Sequence, residues 1–356
     1  MRNNTLSGTF VSRTARIGTL DIYKGLAILL VVVGHLAQSA TPDFDRSLLF
    51  KGIYMFHMPL FFFVCGMVYS LKGSGLSAKG LGESVGKRAQ QLLLPFFAWY
   101  VVGYFITNSQ LPFGQYMVRL WKSPDYGLWF LWVLFVFSCV ADCGRFFAVA
   151  TRIPLWIFLI LAWAVLFHLR TDHSALGIGL IAYHMPFFVA GIFHKEMRNA
   201  VSESFAKPFI AACTLAFPVL AYQWDRVHPP EVGLALQSAY SLPMPAGTYS
   251  LYLALGYAYQ IVPAIVGIVV FFVGARAFTA TGGADPRLTR ILSFVGQRTL
   301  EIYAIHFYMI QFAYFNASPL MNGLVSLIMA TLLSILIADY LLKPNKIVAF
   351  IMFGKR

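Results

Sequence analysis

Asp21, Lys24 and His35 stand in a stretch otherwise apolar enough to cross a membrane: Asp21-Ile-Tyr-Lys24-Gly-Leu-Ala-Ile-Leu-Leu-Val-Val-Val-Gly-His35. At about 100° per residue, the step from Lys24 to His35 comes within roughly 20° of three full turns. The cation and the imidazole therefore share one helix face, about 16 Å apart along the axis. Ionisable groups inside a bilayer are costly, and they usually face a protein interior or a pathway. An imidazole titrates near neutrality and can take a proton from a hydroxyl as a general base. Lys24 can pair with Asp21, three residues away on the same face, or meet an anionic ligand. The plain structural alternatives are a snorkelling anchor for Lys24 and a helix-start residue for Asp21.

The elements that carry these residues follow from composition. Of 356 residues, 59% are hydrophobic and only 12% charged, with a mean hydropathy of +0.70. A soluble domain carries roughly twice that charged share. The apolar runs are continuous and long, which predicts an all-α polytopic membrane protein and disfavours a β-barrel. About ten spans are expected, near 22–41, 49–70, 89–108, 126–144, 153–169, 175–194, 207–223, 249–275, 291–314 and 318–341. The stretch 232–247 reads as loop or as a re-entrant piece. If the N-terminus is cytoplasmic and the spans alternate, only Arg46, Lys51, Arg119, Lys122, Arg170 and Arg226 fall outside. The positive-inside rule thus accounts for the net charge of +13 without a nucleic-acid partner, and supports both termini inside. The division expected is a cytoplasmic segment 1–20, a single transmembrane domain 21–342 and a cytoplasmic tail 343–356. No signal peptide is read, because the apolar run after the basic start is too long for one. Cys65, Cys139, Cys143 and Cys213 all fall in predicted spans without metal-type spacing, so neither disulfide nor metal is expected.

Further candidates lie along this frame. By depth, His57, His184 and His306 join His35 near the midplane or in the outer half of the core, where four histidines could line one polar cavity. Their bland alternative is a bond to a nearby carbonyl. Lys87 and Arg88 precede the third span on the inner side, where arginine suits a phosphate-bearing cofactor; for Lys87, topological charge is an equal alternative. Glu301 is an intramembrane carboxylate, set about 140° round the helix from His306 and so not expected to touch it. Trp129 belongs to an interfacial aromatic belt or walls an acceptor site. Phe56-His57-Met58-Pro59 through Gly66 resembles Tyr183-His184-Met185-Pro186 through Gly191, in the same orientation, as a parallel repeat would. Glycine-rich nucleotide loops of the Gly-x-Gly-x-x-Gly type and His-Glu-x-x-His motifs are absent from the sequence.

Taken in order, several pieces resemble the membrane-bound acyltransferase-3 family. They are Leu20-Asp21-x-x-Lys24-Gly25-Leu26-Ala27 with Gly34-His35, and Phe56-His57-Met58-Pro59-Leu60-Phe61-Phe62-Phe63 with Gly66. Later landmarks are Leu128-Trp129-Phe130-Leu131, Phe187-Phe188-Val189-Ala190-Gly191, Leu292-Ser293-Phe294-Val295-Gly296 and Leu300-Glu301 through His306. The resemblance implies O-acyl transfer, usually of acetyl, from cytosolic acetyl-CoA to a sugar hydroxyl in a surface polysaccharide or its lipid-linked precursor. It places the family's histidine at His35, its cation at Lys24, and the first arginine of an Arg-x-x-Arg motif, thought to contact CoA, at Arg88; the second position here is Gln91. Many relatives carry an added extracytoplasmic domain. This chain is expected to act alone or with a separate partner.

The expected partners are therefore acetyl-CoA, a glycan or lipid-linked sugar and membrane lipid, in the bacterial cytoplasmic (inner) membrane, with room for a homodimer. Asp21, Lys24 and His35 form the expected catalytic set. Arg88, Lys87 and Lys24 form the donor set, and His57, His184, Trp129, Glu301 and His306 the acceptor set. The acceptor sugar, an acyl group other than acetyl, and direct transfer against an acyl-enzyme on His35 stay open. Intramembrane histidines, Glu301 and a repeat also fit a proton-coupled transporter or glycan flippase.

Overall fold

The computed structural model describes residues 5–40, 43–72, 76–107, 109–122, 128–169, 175–226, 248–279, 285–310 and 319–355. The segment expected at 232–247, with Pro243 and Pro245, lies outside these residues, as do Pro229 and Pro230. All regular elements among the described residues are helical. In chain order they are α1 (Thr5–Ala40), α2 (Leu48–Tyr54), α3 (His57–Tyr69), α4 (Ala78–Arg88), α5 (Leu94–Ile106), α6 (Phe113–Lys122), α7 (Trp129–Thr151) and α8 (Leu155–Leu169). They continue with α9 (Ile178–Ile192), α10 (His194–Ala200), α11 (Glu203–Gln223), α12 (Thr248–Thr279), α13 (Pro286–Gln297), α14 (Thr299–Ile310), α15 (Pro319–Leu336) and α16 (Lys346–Phe353).

Seven stretches among the described residues are long and apolar enough to cross a membrane: Gly18–Ala40, Leu48–Tyr69, Ala78–Ile106, Trp129–Thr151, Glu203–Gln223, Gly256–Thr279 and Met321–Leu342. Each overlaps one of the expected spans. The spans expected at 153–169 and 175–194 fall on the shorter apolar helices α8 and α9. At 15 residues, each reaches about 22 Å, less than a hydrocarbon core of about 30 Å. Within the span expected at 291–314, the described residues form two helices, α13 and α14, interrupted at Arg298. The start of α13 is set by Asp285, whose carboxylate accepts from the Arg287 amide at 2.7 Å, and by Pro286 in the first turn. α1 runs unbroken through residue 20.

The chain divides into two compact units. The first comprises residues 1–61, 195–299 and 307–331. In it α1 packs on α13, α2 and α12, and α11 packs on α12 and α2. The α1–α13 contact is backbone to backbone. A side chain at Gly25 would collide with the Leu292 carbonyl, and one at Gly296 with the Asp21 carbonyl. We expect Gly296→Val to cost about 2–3 kcal/mol by overpacking, read as a lower thermal midpoint in detergent. Gly274→Ala, which meets nothing within 4 Å, should leave the midpoint unchanged; equal midpoints for both variants would contradict the packing account.

The second unit comprises residues 62–194, 300–306 and 332–356. Here α7 packs on α4, α8 and α9, and α16 packs on α5. Gly66 of α3 and Gly191 of α9, the last residues of the two similar segments, lie against each other, and a side chain at either would strike the partner's backbone. Pro186 inside α9 lacks an amide, which leaves the Ala182 carbonyl without its helical donor. The Trp163 indole of α8 donates to that carbonyl at 3.0 Å. Between α4 and α5 the chain makes one wider, π-type turn over Ala89–Leu93, a distortion found often at functional sites.

Candidate active site

In the first unit, α1 carries Asp21, Lys24, Gly34, His35 and Gln38. Lys24 Nζ sits 2.6 Å from Asp21 Oδ1. The Gln297 amide at the end of α13 donates to Asp21 Oδ2 at 3.1 Å. The expected Asp21–Lys24 pairing is thus present, and a third residue from far along the sequence holds it.

About 16 Å further up the axis than Lys24 by helical rise, His35 meets Tyr54 of α2. Gly34 makes the approach possible, since a side chain there would lie 2.9 Å from the Tyr54 ring. The Tyr54 hydroxyl donates to Gln38 Oε1 at 2.8 Å. His35 Nδ1 lies 3.2 Å from that hydroxyl oxygen and 3.3 Å from Gln38 Oε1. Both neighbours face Nδ1 as acceptors, so Nδ1 carries the ring proton and Nε2 the lone pair. That tautomer is the one a general base needs. Phe307 packs edge-on against the imidazole at 5.7 Å. The Tyr54 ring also lies against His57, centroids 4.5 Å apart with the planes tilted by 52°. Tyr54 therefore links two of the expected histidines, His35 and His57. Neither Tyr54 nor Gln38 was among the expected site residues. Gln38 carried a usable signal, three residues beyond His35 on the same face. Tyr54 carried none, because its partner lies on another helix.

His57 donates Nδ1–H to the Ile53 carbonyl at 3.1 Å, across the turn between α2 and α3. His184 and His306 do the same to the carbonyls four residues back, Leu180 at 2.8 Å and Ile302 at 2.8 Å. The carbonyl bond expected as the bland alternative is therefore made by one nitrogen of each ring. It also fixes Nε2 as the acceptor nitrogen in all three.

His184 and His306 belong to the second unit. His184 is buried between Phe62 and Trp129, at 4.9 and 5.2 Å. Phe62 touches Phe130 at 4.7 Å, Phe130 touches Tyr303 at 5.6 Å, and Tyr303 lies 6.3 Å from the His306 ring. Trp129 thus forms part of an aromatic wall around a histidine. Glu301 does not join it. Its Oε1 is held by Lys343 at 2.8 Å and Lys355 at 2.5 Å, and Lys343 also pairs with Asp339 at 2.6 Å. The expected separation of Glu301 from His306 agrees with this placement.

Of the residues expected to meet the donor, Arg88 ends α4 and is half-buried, while Lys87 is exposed. Gln90 donates to the Gly354 carbonyl at 3.2 Å, and Trp99 donates to the Met352 carbonyl at 2.9 Å. Gly354, at φ +62°, lies against the backbone of Gln90 and Gln91, where a β-carbon would collide. The position of the motif's missing second arginine is therefore covered by the C-terminal segment. Sequence reasoning also passed over Asp142, a fully buried carboxylate inside the span expected at 126–144. The rule that singled out Glu301 applies to it equally. Among the described residues, no group of three or more His, Cys, Asp or Glu side chains is placed to hold a metal ion.

A family model described as an acyltransferase domain, Acyl_transf_3, matches residues 17–342. The chain belongs to this acyltransferase family, and its long apolar helices make it an integral membrane member. It is 29% identical over 220 residues to the nodulation protein NolL of Mesorhizobium japonicum, covering 58% of this chain and 56% of that protein. It is 32% identical over 193 residues to the nodulation protein NolL of Sinorhizobium fredii, covering 50% of this chain and 48% of the relative. The chain thus spans about half the length of these relatives. No solved structure matches it significantly.

Proposed function

We propose that this protein is an integral membrane O-acyltransferase that moves an acetyl group from cytosolic acetyl-CoA to a sugar hydroxyl in a surface polysaccharide or its lipid-linked precursor. The observation that carries the reading is the His35–Tyr54–Gln38 arrangement on a membrane-length helix of a chain in an acyltransferase family. His35 Nε2 takes the proton of the acceptor hydroxyl while its oxygen attacks the thioester carbonyl. The tetrahedral adduct then collapses, the C–S bond breaks, and the imidazolium returns the proton to the departing CoA sulfur. Tyr54 and Gln38 act through His35 by holding its tautomer. Lys24 is the donor-side cation of α1, and Asp21 positions it. Arg88 contacts the donor's phosphates, with exposed Lys87 adding long-range attraction.

His57, His184, Trp129 and His306 serve the acceptor, with the aromatic wall offering faces for a sugar ring. Glu301 we assign to holding the C-terminal segment rather than to the acceptor, because its Oε1 is occupied by two lysines. Both termini lie in the cytoplasm of a bacterial cell whose inner membrane holds the domain 21–342 between the segments 1–20 and 343–356.

The test uses purified full-length protein in proteoliposomes with radiolabelled acetyl-CoA. The expected outcome is acetyl transfer to glycan, or slow CoA release without an acceptor. Counterflow of a glycan that is indifferent to acetyl-CoA, with no CoA release, would replace this reading with the transporter or flippase.

A further inference from the structure

In the second unit, Tyr69 ends α3, Lys72 follows it, Ser84 lies on α4, and Asp142 and Arg145 lie one turn apart on α7. All converge on one carboxylate. Asp142 Oδ1 accepts from the Tyr69 hydroxyl at 2.5 Å and Oδ2 accepts from Ser84 at 2.6 Å. Lys72 Nζ straddles the two oxygens at 3.2 and 3.3 Å and stands 4.5 Å from the centre of the Tyr69 ring. Arg145 Nη1 is 3.8 Å from Oδ1. Burial, and then the charge of nearby Arg88, push the Lys72 ammonium below its ordinary value in spite of Asp142. One carboxylate thus faces Lys72 and Arg145, with Arg88 near enough to repel the Lys72 charge, and the cluster keeps a surplus of positive charge.

The bond lengths rank the partners. A charge-assisted N–H···O bond at full strength is about 2.7–2.9 Å long, so the Lys72 contacts are loose while the two hydroxyl bonds are tight. Asp142 and Arg145 are buried, but the Lys72 side chain is 28% exposed. Lys72 is therefore the member able to turn toward an incoming anion, leaving Asp142 satisfied by Tyr69, Ser84 and Arg145.

We propose that Asp142 is a positioning residue that holds Lys72 and Arg145, beside Arg88, as a receptor for the phosphate groups of the acyl donor, and that Lys72 exchanges Asp142 for phosphate when the donor binds. The inference rests on the acetyl-CoA reading above. It adds a built site where the sequence had offered only a basic edge.

Calorimetric titration of the full-length protein in detergent, with CoA and with phosphate-free pantetheine, tests it. Lys72→Gln should weaken CoA binding about 10- to 100-fold, leave pantetheine binding unchanged, and be largely rescued by Lys72→Arg. In turnover the loss should appear in KM for acetyl-CoA and not in kcat. Asp142→Asn gives the sharper sign. If Asp142 merely repelled the donor, removing its charge would tighten CoA binding. If it positions the cations, binding weakens. Unchanged CoA binding by Lys72→Gln, tighter binding by Asp142→Asn, or equal losses for CoA and pantetheine would each overturn the proposal while leaving the donor reading intact. Failure of the unsubstituted protein to bind CoA would overturn both. Should Asp142→Asn not fold, the partly exposed Lys72 decides the matter alone.

Discussion

Replacing His35 with alanine should lower acetyl transfer by about 10²–10⁴-fold, the range for loss of a positioned general base. The substitution removes a half-buried ring that touches Phe307 and Tyr54, so the protein should still fold. An unchanged thermal midpoint beside a collapsed kcat is the expected signature. The neighbours should grade the effect. Tyr54→Phe deletes the hydroxyl 3.2 Å from Nδ1 but leaves Gln38 Oε1 as an acceptor. A loss of about tenfold is expected, equivalent to roughly 1.4 kcal/mol. Full transfer by His35→Ala, with CoA released at the normal rate, would remove the imidazole from the mechanism.

Glu301→Ala should produce a large loss of stability. The Glu301 side chain is 1% exposed and holds Lys343 and Lys355, the second of which follows α16. Breaking a buried ion pair costs about 3–5 kcal/mol. Both lysines are partly exposed, which screens the interaction, so about 2–3 kcal/mol is the expectation here. Limited proteolysis should then cut near the C-terminus first, because α16 loses a charged anchor while keeping its bonds to Gln90 and Trp99.

The pH dependence follows from Lys343. Burial alone would lower its pKa, but hydrogen bonds from its ammonium to Asp339 and Glu301 outweigh that and raise it above the ordinary lysine value. A raised cation pKa contributes stability that is fully present below the unfolded value, about 10.4, and is lost as pH rises through the folded one. The Glu301→Ala penalty should accordingly be flat from neutral pH to about 9. A penalty that vanished at pH 7 would place the stabilisation elsewhere. Glu301→Met with Lys343→Met should recover part of the loss, since a matched apolar pair leaves no buried charge unpaired.

Much of the architecture was legible in the chain because it depends on local pattern. Continuous apolar runs specify membrane-length helices, and seven of the expected spans coincide with them. The shared face of Lys24 and His35 follows from helical periodicity alone, and α1 is one unbroken helix across both. The pairing of Lys24 with Asp21 needed only three residues of separation. The resemblance carried by Gly34-His35 and its companion motifs led to the family that the chain belongs to.

What the tertiary structure decided is who partners whom across helices. The tautomer of His35 depends on Tyr54, nineteen residues away and on another helix. The fate of Glu301 depends on Lys355, fifty-four residues away. The gathering of Lys72, Ser84 and Asp142 needs three separate elements to meet. One expected span is divided at Arg298, two residues past the close backbone contact of Gly296 with α1. Helix formation and burial are written in neighbouring residues, whereas a buried polar group must find its partner wherever the fold brings one.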